Sequence, residues 1–282
     1  MRIASYIAGG KPAFGVVKDG GVVTVSERLA GRYATLREAL AAGALEEMRM
    51  LARDARPDRA LSDLSFLPVI SDPGKILCVG LNYRSHAAEQ GGAVAERPNI
   101  FTRFTDTLVP HEGAMVRPKA SVQFDWEGEL VVVIGRGGRA IAEEDALGHV
   151  AGYTCGCDGS VRDFVKTSLV TGKNFPASAP LGPWMTTSDE IADPATLTLT
   201  TRLNGEVMQH SGTEMMIHSV PALIAYCSIF TPLAPGDLIF TGTPDGIGAR
   251  RTPPLWLKAG DVLEVEISKI GTLRARIVDE AG

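Results

Sequence analysis

The apolar positions of this chain recur with two different periods, and the change of period divides it. Residues 1 to about 70 open with short β-branched and aromatic runs, RIASYIA at 2–8 and AFGVVKDGGVVTVS at 13–26. The Asp19-Gly20-Gly21 centre of the second predicts a tight hairpin turn with positive φ. Helical spacing follows in ATLREALAAGALEEMRMLARDA, where Leu36, Leu40, Leu45 and Met48 fall on one face. The Pro-containing stretch 55–75 then reads as a connector. Beyond it, six runs bounded by Gly, Asn or Asp predict strands: KILCVGLNY, GELVVVIG, VAGYTCGCD, LTLTTRLNG, GDLIFTG and DVLEVEIS. Helices are expected only around HAAEQ, EEDALGHV and SVPALIAYCSIF. The pattern predicts an α+β protein, with a small N-terminal α+β domain over residues 1–70 and a β-rich body over 71–282. The Gly- and Pro-rich loops 110–121 and 241–254 suit the rim of a site.

Composition narrows the class of partner. Of 282 residues, 45% are apolar, enough to fill a real core. The net charge is −5 and the basic residues are scattered, which argues against nucleic acid and leaves a small acidic molecule as the expected partner. No run approaches the roughly 20 apolar residues of a membrane helix, and the first residues lack the apolar core of a signal peptide, so no membrane and a cytoplasmic location are expected. Cys78, Cys155, Cys157 and Cys227 lie in apolar surroundings without zinc-ligand spacing and read as reduced core cysteines.

The chemistry-bearing stretch is FDWEGEL, residues 124–130. Asp125, Glu127 and Glu129 alternate along an extended chain and so share a face. An exposed strand edge with solvated acids would explain an isolated D-x-E-x-E. Here the apolar run Val131 to Ile134 follows at once, so the strand enters a core, where paired carboxylates resist desolvation unless a cation compensates them. A hard divalent ion is the economical compensation, Mg²⁺ first, with Mn²⁺ or Ca²⁺ as alternatives. Asp158, at the end of the small-residue strand GYTCGCD, offers a third carboxylate. Neither TGTPDGIG nor GRGGRA has the spacing of a phosphate-binding loop, which excludes nucleotide binding.

Six blocks in order, GLNYRSHAAE, FDWEGELVVVIG, GYTCGCDGSVRDF, GKNFPASAPLGPW, RLNGEVMQ and FTGTPDGIG, resemble the fumarylacetoacetate hydrolase family over about residues 70 to 280. The resemblance implies the family's β-rich mixed roll, a Mg²⁺ or Mn²⁺ ion, and action on 2-oxo or 1,3-dicarbonyl acids, usually as a homodimer. It assigns Glu127, Glu129 and Asp158 as metal ligands and His86, Glu89 and Lys173 as catalytic residues. Arg162, Gln209 and Thr243 become substrate contacts, Arg162 either clamping a substrate carboxylate or neutralising Asp163. Residues three apart on a helix are neighbours, so Glu89 can hold one imidazole nitrogen of His86 and raise the basicity of the other. The expected reaction is hydrolytic C–C cleavage of a 2,4-dioxo acid. Its rivals are decarboxylation of an oxaloacetate-type acid, and keto–enol isomerisation or hydration of a 2-oxo or 2-hydroxydienoic acid.

Departures from the family pattern concern the pocket. Met208, His210 and Met215 stand where an arginine and Asp/Asn-rich version is usual, which is expected to change the lining, and His111 is a further candidate rim contact. The segment 84–112, with Gly91-Gly92, is expected to act as a lid that delivers His86 and Glu89.

Overall fold

A computed structural model of the chain describes residues 1–89 and 96–281. Gly91-Gly92, and with them the middle of the expected lid, lie outside the described residues. The fold is α+β and rich in strand. Its main sheet runs in the order Arg59–Ala60, Gly21–Val23, Lys11–Lys18, Arg2–Ala8, Ala179–Thr187, Val150–Cys157, Gly128–Ile134, Leu238–Phe240, Ile76–Gly80 and Asn99–Thr102. A second sheet, Glu206–Gly212, Thr198–Leu203, Val262–Ile267, Gly271–Asp279 and Ala114–Arg117, packs against it. The first seventy residues therefore add strands to the sheet that carries the acidic motif, through the pairing of Arg2 with Thr186 and Ile3 with Met185.

Gly128–Ile134 is buried at every position, and its alternation explains why. Leu130, Val132 and Ile134 pack with Leu199, Leu263, Val265 and Leu273 of the second sheet. Val131 and Val133 pack on the opposite face with Phe14, Leu36, Leu40 and Met48 from the N-terminal segment. A strand covered on both faces reads as a continuous apolar run, which is the pattern its sequence shows.

The hairpin turn forms as expected, with Asp19 at φ 51° and Gly20 at φ 75°. Residues 34–55 form two helices rather than one, Leu36–Ala41 and Leu45–Arg53, because Gly43 adopts φ 69° between them. EEDALGHV winds as a 3-10 helix, Glu143–His149, with Ala146 and His149 turned inward; residues three apart align on such a helix. All four cysteines are buried and unpaired.

Candidate active site

The strand expected to carry three acids on one face is broken. Phe124–Asp125 pairs in a separate ribbon with Ser160–Val161, and the long strand begins only at Gly128. Asp125 is thereby turned to a different task. Its Oδ1 accepts the Gly248 N–H at 2.7 Å and its Oδ2 the Ala249 N–H at 3.1 Å, and Arg162 Nε donates to Oδ2 at 2.7 Å. It anchors the 248–249 turn and does not join the other two acids.

Glu127, Glu129 and Asp158 do converge, with ligand oxygens within 4.8 Å of one another and all three side chains buried. The antiparallel register brings them together. Gly128 faces Cys157 and Glu129 faces Gly156, and the next pair is closed by the Asp158 N–H donating to the Glu127 carbonyl at 2.8 Å. Lys173, at the end of helix Leu169–Lys173, donates from Nζ to Glu127 Oε2 and Asp158 Oδ2, each at 2.5 Å. Arg162 Nη2 reaches Glu127 Oε1 at 2.6 Å. Glu129 Oε2 accepts the Gly242 N–H at 2.8 Å. Gly242 holds φ 97°, and a Cβ there would lie 2.7 Å from the Cβ of Asn82, so glycine is required for this approach.

The sequence reading overlooked Arg103. Its side chain is fully buried, with Nε on Asp158 Oδ1, Nη1 on Ser178 Oγ at 3.0 Å and Nη2 on the Gly159 carbonyl. The signal was a lone arginine closing the strand IFT at 100–102, within a segment read as lid. Asn82 was also overlooked. Its amide donates to the carbonyls of His218 and Thr241 and accepts from the His218 N–H, tying the residues before helix Arg84–Glu89 to the strand end at 241.

Charge balance tests whether a metal fits. Four carboxylates, Asp125, Glu127, Glu129 and Asp158, face three bases, Arg103, Arg162 and Lys173. Burial alone would protonate Glu127, but Lys173 and Arg162 outweigh it and hold its carboxyl at about 2. Burial opposes charge on Lys173 as well, and Asp158 and Glu127 reverse that by raising it. At Glu129 the Lys173 charge and the Gly242 N–H do not outweigh burial. Burial, then Asp158 and Glu127 beside it, push its carboxyl well above the usual range. Three converging carboxylates, one of them short of a counter-charge, form a hard oxygen donor set suited to a divalent cation. The buried triad can bind a metal.

Above the triad opens a cavity of about 520 Å³ whose lining includes His86, Glu127, Arg162, Lys173 and Thr243. His86 is buried, and its Nδ1 lies 3.2 Å from Glu89 Oε2, the contact expected at three-residue spacing. Gln209 is placed differently from expectation. Its amide Oε1 accepts the Gly128 N–H at 3.0 Å, its Nε2 donates to Thr243 Oγ1 at 2.8 Å and to the Pro244 carbonyl at 2.9 Å, and it is not among the residues lining the cavity. Arg162 pairs with Asp125 and Glu127, while Asp163 accepts from Ser121 instead. His111 packs edge-on against Phe66 and accepts the Arg274 N–H; burial lowers its pKa. Neither it nor Met208, His210 or Met215 lines the cavity: Met208 is buried in the core, His210 bonds Thr200 and Met215 is exposed.

A strand-borne acidic triad under a cavity, with a His-Glu pair at its side, defines the class. The chain belongs to the fumarylacetoacetate hydrolase family: residues 75–278 match the model for the fumarylacetoacetate (FAA) hydrolase C-terminal region. It is an enzyme of that superfamily. A mitochondrial oxaloacetate tautomerase of Xenopus laevis is 42% identical over 221 residues, 77% of this chain and 69% of that protein. The fumarylacetoacetate hydrolase of Exiguobacterium antarcticum superposes with a TM-score of 0.84 at 30% identity, covering 99% of this chain and 100% of that one. Maleylpyruvate hydrolase of Sphingobium sp. SYK-6, solved with manganese(II) and pyruvate, superposes with a TM-score of 0.84 at 27% identity over 100% of both chains. Among the described residues no helix is long and apolar enough to cross a membrane.

Proposed function

We propose that the chain is a divalent-metal-dependent hydrolase that cleaves the C–C bond of a 2,4-dioxo acid, releasing a 2-oxo acid and a carboxylic acid. The observation that carries this reading is the cavity itself. It reaches the triad at Glu127 and continues into an apolar wall that includes Leu81, Val165, Leu169, Ile247 and Trp256, room beyond what the 2-oxo acid end alone would fill. Glu127, Glu129 and Asp158 would hold the ion, Mg²⁺ or, as in the Sphingobium structure, Mn²⁺. When bound, such an ion supplies a Lewis acid for the 2-oxo acid oxygens.

The chain's own residues divide the remaining work. Glu89 on Nδ1 favours the imidazole tautomer with its proton there, which makes Nε2 of His86 the basic nitrogen. His86 Nε2 takes the proton from the water that attacks the distal carbonyl. Breaking the C–C bond leaves the electron pair on the departing 2-oxo acid as its enolate, and the Lys173 ammonium lines the cavity where that charge develops. His86 then returns its proton to the enolate carbon. Thr243 also lines the cavity, its hydroxyl donating to the Gly128 carbonyl at 2.9 Å and accepting from Gln209 Nε2 at 2.8 Å.

A second reading is favoured by the 42% identity to an oxaloacetate tautomerase. Keto–enol exchange needs the same base and the same enolate stabilisation but no attacking water. One assay separates the two. Purified protein with Mg²⁺ or Mn²⁺ is given acetylpyruvate, fumarylpyruvate and oxaloacetate while absorbance and pyruvate are followed. Stoichiometric pyruvate and acid from the acylpyruvates is the expected result. An absorbance change on oxaloacetate without cleavage of any substrate would move the chain to the tautomerase reading, and pyruvate from oxaloacetate alone to a decarboxylase. We further propose a homodimer, since Ile229 and Phe230 of helix Val220–Phe230 are 61% and 53% exposed; a monomer by light scattering would dismiss it.

A further inference from the structure

Arg162, the residue expected to clamp a substrate carboxylate, is already engaged. Its Nε and Nη2 hold Asp125 and Glu127 at 2.7 and 2.6 Å. Lys173 is likewise held between Glu127 and Asp158. Two further cations line the same cavity, Lys166 and Arg250. Both are exposed, and among the described residues neither side chain has an ion pair or hydrogen bond. A guanidinium and an ammonium that face one cavity without an internal counter-charge suit an anion, and a planar carboxylate matches the fork of the arginine.

Their supports are not loose. Lys166 follows directly on helix Arg162–Val165, and Arg250 closes the 3-10 turn Gly248–Arg250. Asp125, fully buried, holds both pieces at once by accepting from Arg162 Nε and from the N–H groups of Gly248 and Ala249. A Cβ on Gly248 would lie 2.0 Å from the Leu255 carbonyl, so the turn is also closely packed from the other side. The cavity thus presents an acidic, metal-suited floor, an apolar wall and a cationic pair.

We infer that Lys166 and Arg250 form the subsite for the second carboxylate of a dicarboxylic 2-oxo acid, and so select substrates that carry an acidic group at the end of the acyl chain. This rests on the reading that the 2-oxo acid end binds over Glu127, Glu129 and Asp158. The apolar wall takes the carbons between the two ends. Because the pair is solvent-exposed, its effect is one of selection by modest charge attraction rather than tight binding, on the order of 10-fold, and weakens as salt is raised.

The test needs no turnover. With Mn²⁺ present, calorimetry compares 2-oxopentanedioate with 2-oxopentanoate, which share a five-carbon chain and differ only in a terminal carboxylate against a methyl group. The wild-type chain is expected to bind the dicarboxylate about 10-fold more tightly. Arg250→Gln and Lys166→Gln each reduce that ratio and the double variant brings it close to one; both side chains are exposed, so folding is not at stake. Equal affinities in the wild type, or a ratio that survives the double variant, would overturn the inference. If neither acid binds in the presence of Mn²⁺, the floor reading falls and takes the subsite with it. If the preference is present but no 2,4-dioxo acid is cleaved, the subsite stands and only the reaction is wrong.

Discussion

Glu127, which lines the cavity, and Asp158 beside it are each held by Lys173 and by one guanidinium, and the ladder between their strands closes with a bond from one to the other. His86 and Glu89, at its side, stand on the six-residue helix Arg84–Glu89, beside residues 90–95 that lie outside the described chain. The acidic site is set by strand register and charge balance, with Glu127 and Asp158 each held by more than one contact. The side wall depends on the placement of one short helix. The comparison teaches that the groups proposed to bind an ion and the pair proposed to move a proton are positioned by different elements, so variants in the two regions should fail in different ways.

The largest effect is expected at the floor. Glu127→Ala removes an oxygen of the proposed ligand set and leaves Arg162 and Lys173 with one counter-charge fewer. Breaking such a buried pair costs about 3–5 kcal/mol. Calorimetry with Mn²⁺ should find no binding, and turnover should fall to background, as it should for the wild-type chain after treatment with a chelator. An active Glu127→Ala chain without bound metal would remove the basis for the triad.

His86→Ala should separate the two regions cleanly. Turnover falls by about 10²- to 10⁴-fold, the usual contribution of a positioned general base. The affinity for Mn²⁺ should stay within a few-fold of wild type, because the imidazole is not among the converging ligands. Loss of metal together with turnover would mean that the side wall and the floor are one unit. Glu89→Gln should lie between His86→Ala and wild type, since it keeps a hydrogen bond to Nδ1 but not the carboxylate charge.

What could be read in the sequence follows the same division. The period-two spacing of Glu127 and Glu129 and the apolar run after them were enough to indicate a buried acidic site, because strand geometry is regular and desolvation of carboxylates is costly. Asp158 was visible as an acid ending a small-residue strand. The break at Trp126 was not, and so Asp125 was placed on the face of Glu127 and Glu129 although it serves the 248–249 turn. Lys166 and Arg250 carry no local signal, and Arg103 only that of a lone arginine closing a strand. Their placement arises only when residues 55 to 124 positions apart in the chain are brought together, as Arg103 is with Asp158 and Asp125 with the turn before Arg250. Gln209 shows the converse: a block matching a substrate contact placed a side chain whose amide is used within the fold.

Arg103→Gln sharpens the comparison by weakening the floor without touching a ligand. The variant keeps a polar side chain but loses the charge and the fork that hold Asp158 Oδ1, the Gly159 carbonyl and Ser178. Residues that orient ligands typically cost about 10- to 100-fold in metal affinity when replaced. Mn²⁺ affinity is expected to drop by that factor while the proton transfer proposed for His86 is untouched, so the activity at saturating Mn²⁺ recovers most of its wild-type value. Activity that stays low at saturating metal would place Arg103 in the reaction rather than in the support of Asp158.

The smallest effect should come from Ser178→Ala. The hydroxyl accepts from Arg103 Nη1 at 3.0 Å and donates to the Phe175 carbonyl at 2.6 Å, both in the interior. Removing it leaves one guanidinium N–H and one carbonyl without a partner, at a cost of about 1–3 kcal/mol. For a chain of this size that lowers the midpoint of thermal unfolding by roughly 2–4 °C per kcal/mol. Asp158 keeps its bonds to Arg103 Nε and Lys173 Nζ, and Arg103 keeps the Gly159 carbonyl, so the ligand should not move. Mn²⁺ affinity is therefore expected to stay within about twofold of wild type while the melting temperature falls. A loss of metal affinity as large as that of Arg103→Gln would show that the floor is not held by several independent contacts but by one chain of them running from Phe175 to Asp158.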